Sequence, residues 1–222
     1  MSLTMTHRAG LALALVVAAC AVSPASADEL AIPTGKAFPF LEKFLKLPPS
    51  DKTRFRLIYS PRFDGKAISG QKATLIEANG ARTVIPIGVD GFFERTPSLA
   101  QLSDAKVVFD APAGAKFGSM MSFVTTLKPD TEYEVRELVA TVEETNSVIR
   151  RQAGPAAMLA PKMGGVAFVK AISGVAVFAD GRTQPLPQVK ETPYFRPEDF
   201  QGAVRVKLTK SPTKVGFYPK KK

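Results

Sequence analysis

Residues 73–87 read ATLIEANGARTVIPI, and this stretch predicts a β-hairpin. Two apolar-rich runs flank Asn79-Gly80, a pair that favours the positive φ angles of a two-residue hairpin turn. The stretch VAVFADG at 175–181 repeats the arrangement, with Asp180-Gly181 at the turn. The fold is therefore expected to be mostly β.

Other segments extend this pattern. Phe55, Leu57 and Tyr59 alternate with arginines, as in a strand with one buried face. Short apolar runs at 107–109 and 204–208 add further strands. Short strands joined by Gly and Pro turns predict small β-sandwiches.

Two copies of one unit are predicted from internal echoes. Lys-Ala-Ile-Ser-Gly occurs at 66–70 and again at 170–174, and the two turn pairs follow at a similar offset. Ordered matches of this kind are typical of a duplication. We expect a β-sandwich-like repeat with an N-terminal helix at 28–118 and a second β-sandwich-like repeat, with a basic tail, at 165–222.

One amphipathic helix is predicted between the copies, over about 132–153. Thr131 and Glu134 match a capping box, and Arg150-Arg151 precede Gly154-Pro155 at the other end. Residues 119–164 are thus expected to be a helical connector that bridges the two repeats. A shorter helix is expected at about 38–46.

The first 27 residues match a secretory signal. Arg8 precedes the apolar run 9–22, and Ala25-Ser26-Ala27 is a small-residue cleavage site. Cleavage after Ala27 would make the chain periplasmic or secreted, with no transmembrane span in the mature form. Alternatively, Val17-Ala18-Ala19-Cys20 is a lipobox, and Cys20 anchors the chain through a lipid.

Composition restricts the chemistry of the mature chain. The full chain carries +10, and residues 1–27 contain Arg8 alone among charged residues, so the mature chain has 29 basic and 20 acidic residues, or +9. His7 and Cys20 are the only His and Cys, and both lie in the signal. Disulfides, zinc sites and Ser-His or Cys-His catalysis are therefore not expected, and neither is a cofactor.

Basic residues are the candidate contacts. Those near one strand are Arg54, Arg56, Arg62 and Lys66, and the C-terminal ones are Lys220, Lys221 and Lys222. In an exported protein they favour anionic envelope surfaces or a protein partner over nucleic acid. The predicted function is non-enzymatic binding or assembly in the cell envelope, with the oligomeric state open.

The alternative is a carboxylate-dependent hydrolase that acts on cell-wall or glycan substrates. Asp90 and Glu94 are its candidate acid pair, although Asp90-Gly91 is more typical of a turn.

Overall fold

The computed structural model describes residues 28–158 and 160–220. Three α-helices lie in this part of the chain: α1 at Thr34–Ala37, α2 at Leu41–Leu45 and α3 at Val135–Ala153. The strands are β1 Asp28–Pro33, β2 Phe55–Phe63, β3 Lys66–Ala67, β4 Lys72–Ile76, β5 Arg82–Pro86, β6 Lys106–Ala111, β7 Phe117–Thr125, β8 Glu132–Glu134, β9 Met163–Val169, β10 Gly174–Phe178, β11 Thr183–Pro185, β12 Gln188–Val189, β13 Thr192–Phe195, β14 Ala203–Leu208 and β15 Lys214–Pro219. The protein is thus mostly β with one long helix, as predicted. The predicted signal and Cys20 lie outside the described residues.

The described strands form three antiparallel sheets. The first has four strands in the order β1-β6-β4-β5, and the second has four in the order β8-β14-β10-β11. The third has seven strands in the order β12-β13-β9-β15-β7-β2-β3. Strands from both halves of the chain meet in this seven-stranded sheet, where β15 pairs with β7.

Both predicted hairpins are present, and their turns are stabilised in the same way. In the β4–β5 turn, the N–H of Ala81 donates to the Asn79 Oδ1 at 2.9 Å, and in the β10–β11 turn the N–H of Arg182 donates to the Asp180 Oδ1 at 3.0 Å. Gly80 and Gly181 have φ angles of 84° and 85°. Only glycine adopts this region without strain, so local sequence specifies each turn.

The repeated pentapeptide has two different conformations. Lys66–Ala67 forms β3 and Ile68 is buried, whereas Lys170 and Ile172 have positive φ angles and Ile172 is 63% exposed. The identical residues therefore occupy different environments, and their conformation is set by contacts outside the pentapeptide.

Two hydrophobic cores lie on one face of the seven-stranded sheet. Side chains of the first four-stranded sheet, such as Leu75, pack with Leu57 of β2 in one core. Val206 of the second four-stranded sheet packs with Phe168 of β9 in the other. Phe123, between them, contacts both cores.

Helix α3 joins the two cores. Val148 belongs to the first core, and Ile149 belongs to the second. Thr141 and Thr145 are also fully buried, and their hydroxyls donate to the carbonyls of Glu137 and Thr141. Because these backbone bonds satisfy the hydroxyls, the two threonines fit in an apolar interface.

The predicted capping box is wrong. Helix α3 begins at Val135, and its N-cap, Glu134, is extended, with a side chain that accepts no capping hydrogen bond from the first helical turn. Residues 132–134 were expected in the first helical turn. They instead form β8, because their backbones pair with β14.

The bounds of β7 bear on the predicted division of the chain. Strand β7 extends from Phe117 to Thr125, across the expected boundary at 118, and the division itself stays a prediction.

Within residues 28–158 and 160–220, no helix has the length and apolar character needed to cross a membrane.

Candidate binding surfaces

The strand register defines the two faces of the seven-stranded sheet. Directly opposed residues lie on the same face, and side chains alternate along each strand. One row of directly opposed residues crosses five neighbouring strands, β2, β7, β15, β9 and β13. Its members are Arg56, Val124, Gly216, Ala167 and Tyr194. This row lies on the face away from the two cores, which we call the outer face.

The outer face is basic. Arg56 and Arg62 project from it on β2, and Lys214 shares the parity of Gly216 on β15. None of the seven described strands of this sheet contains Asp or Glu. We call Arg56, Arg62 and Lys214 the basic face. Lys214 is not among the contact residues predicted from the sequence, although its alternation with Val215 and Phe217 is visible there.

Arg54, the first predicted contact residue, is bound to helix α3 instead. Its guanidinium donates to the Glu137 carboxylate, and its Nε lies 3.8 Å from Glu144 Oε2. Its backbone N–H donates to Glu144 Oε1 at 2.8 Å. The neighbouring guanidinium lowers the pKa of Glu137. Arg54 therefore anchors α3 beside β2.

The other predicted residues are separated. Arg56 is exposed, and Arg62 donates to the Gly65 carbonyl at 2.9 Å. Lys66 is exposed but lies opposite Phe63, so it belongs to the other face at the sheet edge. Lys220 pairs with Glu198 at 2.8 Å. Lys221 and Lys222 lie outside the described residues.

A groove of about 640 Å³, lined by both apolar and charged side chains, lies beside Arg56. Its charged lining residues are Arg56, Asp90, Glu94, Arg95 and Lys214. Asp90 accepts the N–H of Phe92 at 3.2 Å, which is the turn geometry that the sequence indicates. The Lys214 ammonium lies 5.9 Å from the centroid of the Phe92 ring.

An apolar cleft of about 430 Å³ lies between α2 and α3, above the inner face of β2 and β7. We call it the α2–α3 cleft. Its apolar lining residues are Phe40, Phe44, Leu47, Phe55, Leu57, Met121, Phe123, Val148, Ile149, Ala153, Ala160 and Pro161. Lys43 and Gln152 are its only polar ones among the described residues. None of the sites predicted from the sequence includes this cleft.

Phe40 lies at the start of α2 beside the cleft. Its φ and ψ angles are 64° and −2°, a left-handed conformation that is rare for a bulky side chain. The Leu41 N–H donates to the Phe38 carbonyl at 3.2 Å, so Phe40 is the third residue of a tight turn. Glycine usually occupies this position when φ is positive.

Neither a metal-binding cluster nor a similar protein identifies a ligand for these two surfaces. Among the described residues, no group of three or more His, Cys, Asp or Glu is arranged to hold a metal ion. Comparisons of the chain with protein-family models, with curated proteins and with solved structures gave no match.

Proposed function

We propose that this protein is an exported, non-enzymatic binding protein of the cell envelope, whose basic face binds anionic envelope components. The observation that carries the proposal is the charge of the seven-stranded sheet. Its outer face carries Arg56, Arg62 and Lys214, and its described strands contain no acidic residue. A sheet of one charge sign attracts anions and repels cationic partners.

Export supports an envelope location for this binding. The signal of residues 1–27 would be cleaved after Ala27, and the remaining chain would keep its net charge of +9. Lipidation at Cys20 is the alternative, and it would place the basic face near a membrane surface from the start.

We also infer that the chain is a duplication of one β-sandwich-like unit. Corresponding rows cross the two four-stranded sheets: Ile32, Val107, Leu75 and Thr83 in the first, and Tyr133, Val206, Ala176 and Gln184 in the second. Each sheet packs toward its own antiparallel pair, β2–β7 or β9–β15. The seven-stranded sheet that carries the basic face would then be the junction of the two units.

Vesicle co-sedimentation across a salt series tests the proposed function. The chain should sediment with vesicles of phosphatidylglycerol and phosphatidylcholine but not with phosphatidylcholine alone. Binding should weaken as salt rises, since the Debye length falls to about 8 Å at physiological ionic strength.

A double variant, Arg56→Gln with Lys214→Gln, tests the surface itself. Each basic residue near an anionic membrane contributes about 1 kcal/mol, so the double variant should bind roughly 30-fold more weakly. Lys106→Gln with Lys210→Gln removes the same charge from exposed positions outside the seven-stranded sheet. Equal losses in the two variants would contradict a specific basic face.

The hydrolase alternative rests on one observation, that Asp90 and Glu94 line the same groove. It predicts release of soluble fragments from cell-wall material, and it predicts that Glu94→Gln abolishes the release. Unchanged release by Glu94→Gln would remove this alternative.

A further inference from the structure

We propose that the α2–α3 cleft binds a free fatty acid, with the acyl chain inside the cleft and the carboxylate at Lys43. This site is separate from the basic face. No residue of the basic face lines the cleft, and Leu57 and Arg56 point to opposite faces of β2. The groove beside Arg56 does share Phe44 and Leu57 with the cleft.

The lining suits an unbranched hydrocarbon chain. Phenylalanines from α2, β2 and β7 form much of the wall, and α3 contributes Val148 and Ala153. Burying such a chain removes apolar surface of both the ligand and the cleft from water. A hydrocarbon chain also needs no hydrogen bond inside the cleft.

The single charge in the lining specifies an anionic end group. The Lys43 ammonium lies 6.0 Å from the centroid of the Phe40 ring and forms no ion pair with a described residue. The neighbouring lysines are engaged: Lys46 pairs with Glu42 at 2.6 Å, and Lys52 donates to carbonyls at the end of α2. Lys43 is thus the cation available to a carboxylate at the cleft.

The conformation of Phe40 is the second observation that points to a ligand. Its side chain is 58% exposed, and its backbone lies in a region that favours glycine. Strained residues of this kind cluster at binding sites, where the side chain is kept for contact with a partner. A hydrocarbon chain in the cleft would cover the exposed ring.

The size of the cleft favours a small molecule over a protein. Small-molecule sites enclose about 300–1,000 Å³, and a volume of about 430 Å³ falls in this range. A stable protein interface buries roughly 1,200–2,000 Å² with 20–30 residues on each side, more than these lining residues supply.

Fluorescence titration with 11-(dansylamino)undecanoic acid tests the proposal. The chain beginning at Asp28 is used beside the full chain, because it contains every described element and lacks residues 1–27. Probe emission should rise and shift to the blue on binding, and palmitate should displace the probe. An absence of saturable binding by the chain from Asp28 would overturn the proposal.

Ala153→Phe tests where the probe binds, because the new ring would fill the cleft at the end of α3. We expect at least a tenfold loss of probe affinity, with the thermal unfolding temperature measured in parallel to verify folding. Ala113→Phe, in an exposed turn, is the matched control and should bind normally. Equal affinities of the two variants would overturn the location, and so would a dimer that forms through this cleft and excludes the probe.

Lys43→Gln tests the charge. It should weaken palmitate binding by about 1.5- to fivefold, the range of an exposed ion pair, and leave hexadecanol binding unchanged. Lys43→Arg should restore palmitate binding. Equal losses for the acid and the alcohol would overturn the role of Lys43. The Arg56→Gln, Lys214→Gln double variant should bind the probe normally, so failure here is distinguishable from failure of the basic face.

Discussion

Phe40 combines an unfavourable backbone conformation with an exposed aromatic ring. A left-handed conformation costs an L-residue about 1–2 kcal/mol relative to glycine. The hydroxyl of buried Tyr59 donates to the Pro39 carbonyl at 3.0 Å, which holds the turn from below. The turn therefore keeps its shape although the residue at its third position is not glycine.

Two substitutions separate strain from side-chain contact at Phe40. Phe40→Gly and Phe40→Ala both remove the ring, but only glycine relieves the backbone. We expect the glycine variant to be about 1 kcal/mol more stable than the alanine variant in urea unfolding. Both variants should lose affinity for the dansylated fatty acid. If alanine is as stable as glycine, the conformation carries no strain; if either variant keeps full affinity, the ring does not contact the ligand.

Tyr59 gives the protein a pH dependence at alkaline pH. Burial raises the pKa of its hydroxyl above the ordinary value of about 10. Because the folded pKa is raised, this group stabilises the fold fully below pH 10, and the contribution is lost as pH rises above 10, where the unfolded chain ionises.

Tyr59→Phe removes both the hydrogen bond and this titration. At pH 8 the variant should be less stable by about 1 kcal/mol, which is the usual cost of one lost hydrogen bond. The difference in unfolding free energy between the two proteins should narrow at pH 10.5. There, ionisation of Tyr59 stabilises the unfolded state of the unsubstituted chain, and the variant has no such group. Urea unfolding at both pH values measures this. A difference that widens with pH would contradict the raised pKa.

At the scale of elements, the two hairpins offer a matched comparison. Gly80 and Gly181 have nearly equal positive φ angles, and no atom lies within 4 Å of the Cβ that alanine would add at either. Backbone strain alone should set the cost of each Gly→Ala substitution, about 1 kcal/mol. Gly216→Ala is the control, since this glycine also has open space around it but no positive φ, and it should change stability by less than about 0.5 kcal/mol.

Unfolding free energies of the three variants provide the test. Equal costs at the two turns would support equivalent roles in two copies of one unit. A cost at only one turn would mean that the hairpins differ in how tightly the rest of the structure holds them.

Elements set by local chemistry were predictable from the sequence. Asn79-Gly80 and Asp180-Gly181 specify their turns through residue type alone, and the apolar stripe of α3 locates that helix. The first turn of α3 was not predictable, because β8 forms only when residues 132–134 pair with β14, more than sixty residues later. The conformation of the pentapeptide at 170–174 was not predictable for the same reason, because contacts outside it set its backbone angles.

The candidate sites were predictable only in part. Clustering along the sequence identified Arg56 and Arg62, but Arg54 is bound by Glu137 and Glu144 on a distant helix. Lys214 joins the basic face through the pairing of β15 with β7. The α2–α3 cleft is formed by two helices and two strands that are distant in the sequence, so no local sequence pattern predicts it.

At the scale of the whole molecule, the two cores share several elements. Helix α3 supplies Val148 to one core and Ile149 to the other, and Phe123 and Phe217 contact both. The Thr125 hydroxyl also donates to the Val215 carbonyl across the β7–β15 junction at 2.8 Å. Loss of either core would expose apolar side chains of the other, so the two halves should unfold together.

Single tryptophans can report on each core, because the chain contains none of its own. Phe63 packs at the edge of the first core and Phe178 at the edge of the second, and both are partly exposed, so a larger ring can be accommodated. We expect Phe63→Trp and Phe178→Trp to give urea transitions with the same midpoint, and each to coincide with the loss of far-ultraviolet circular dichroism in its own variant. Circular dichroism also measures how far each substitution itself changes stability, which corrects the comparison. Midpoints that remain separated after this correction would mean that each core unfolds alone, and that α3 and the shared sheet join the halves too weakly to couple them.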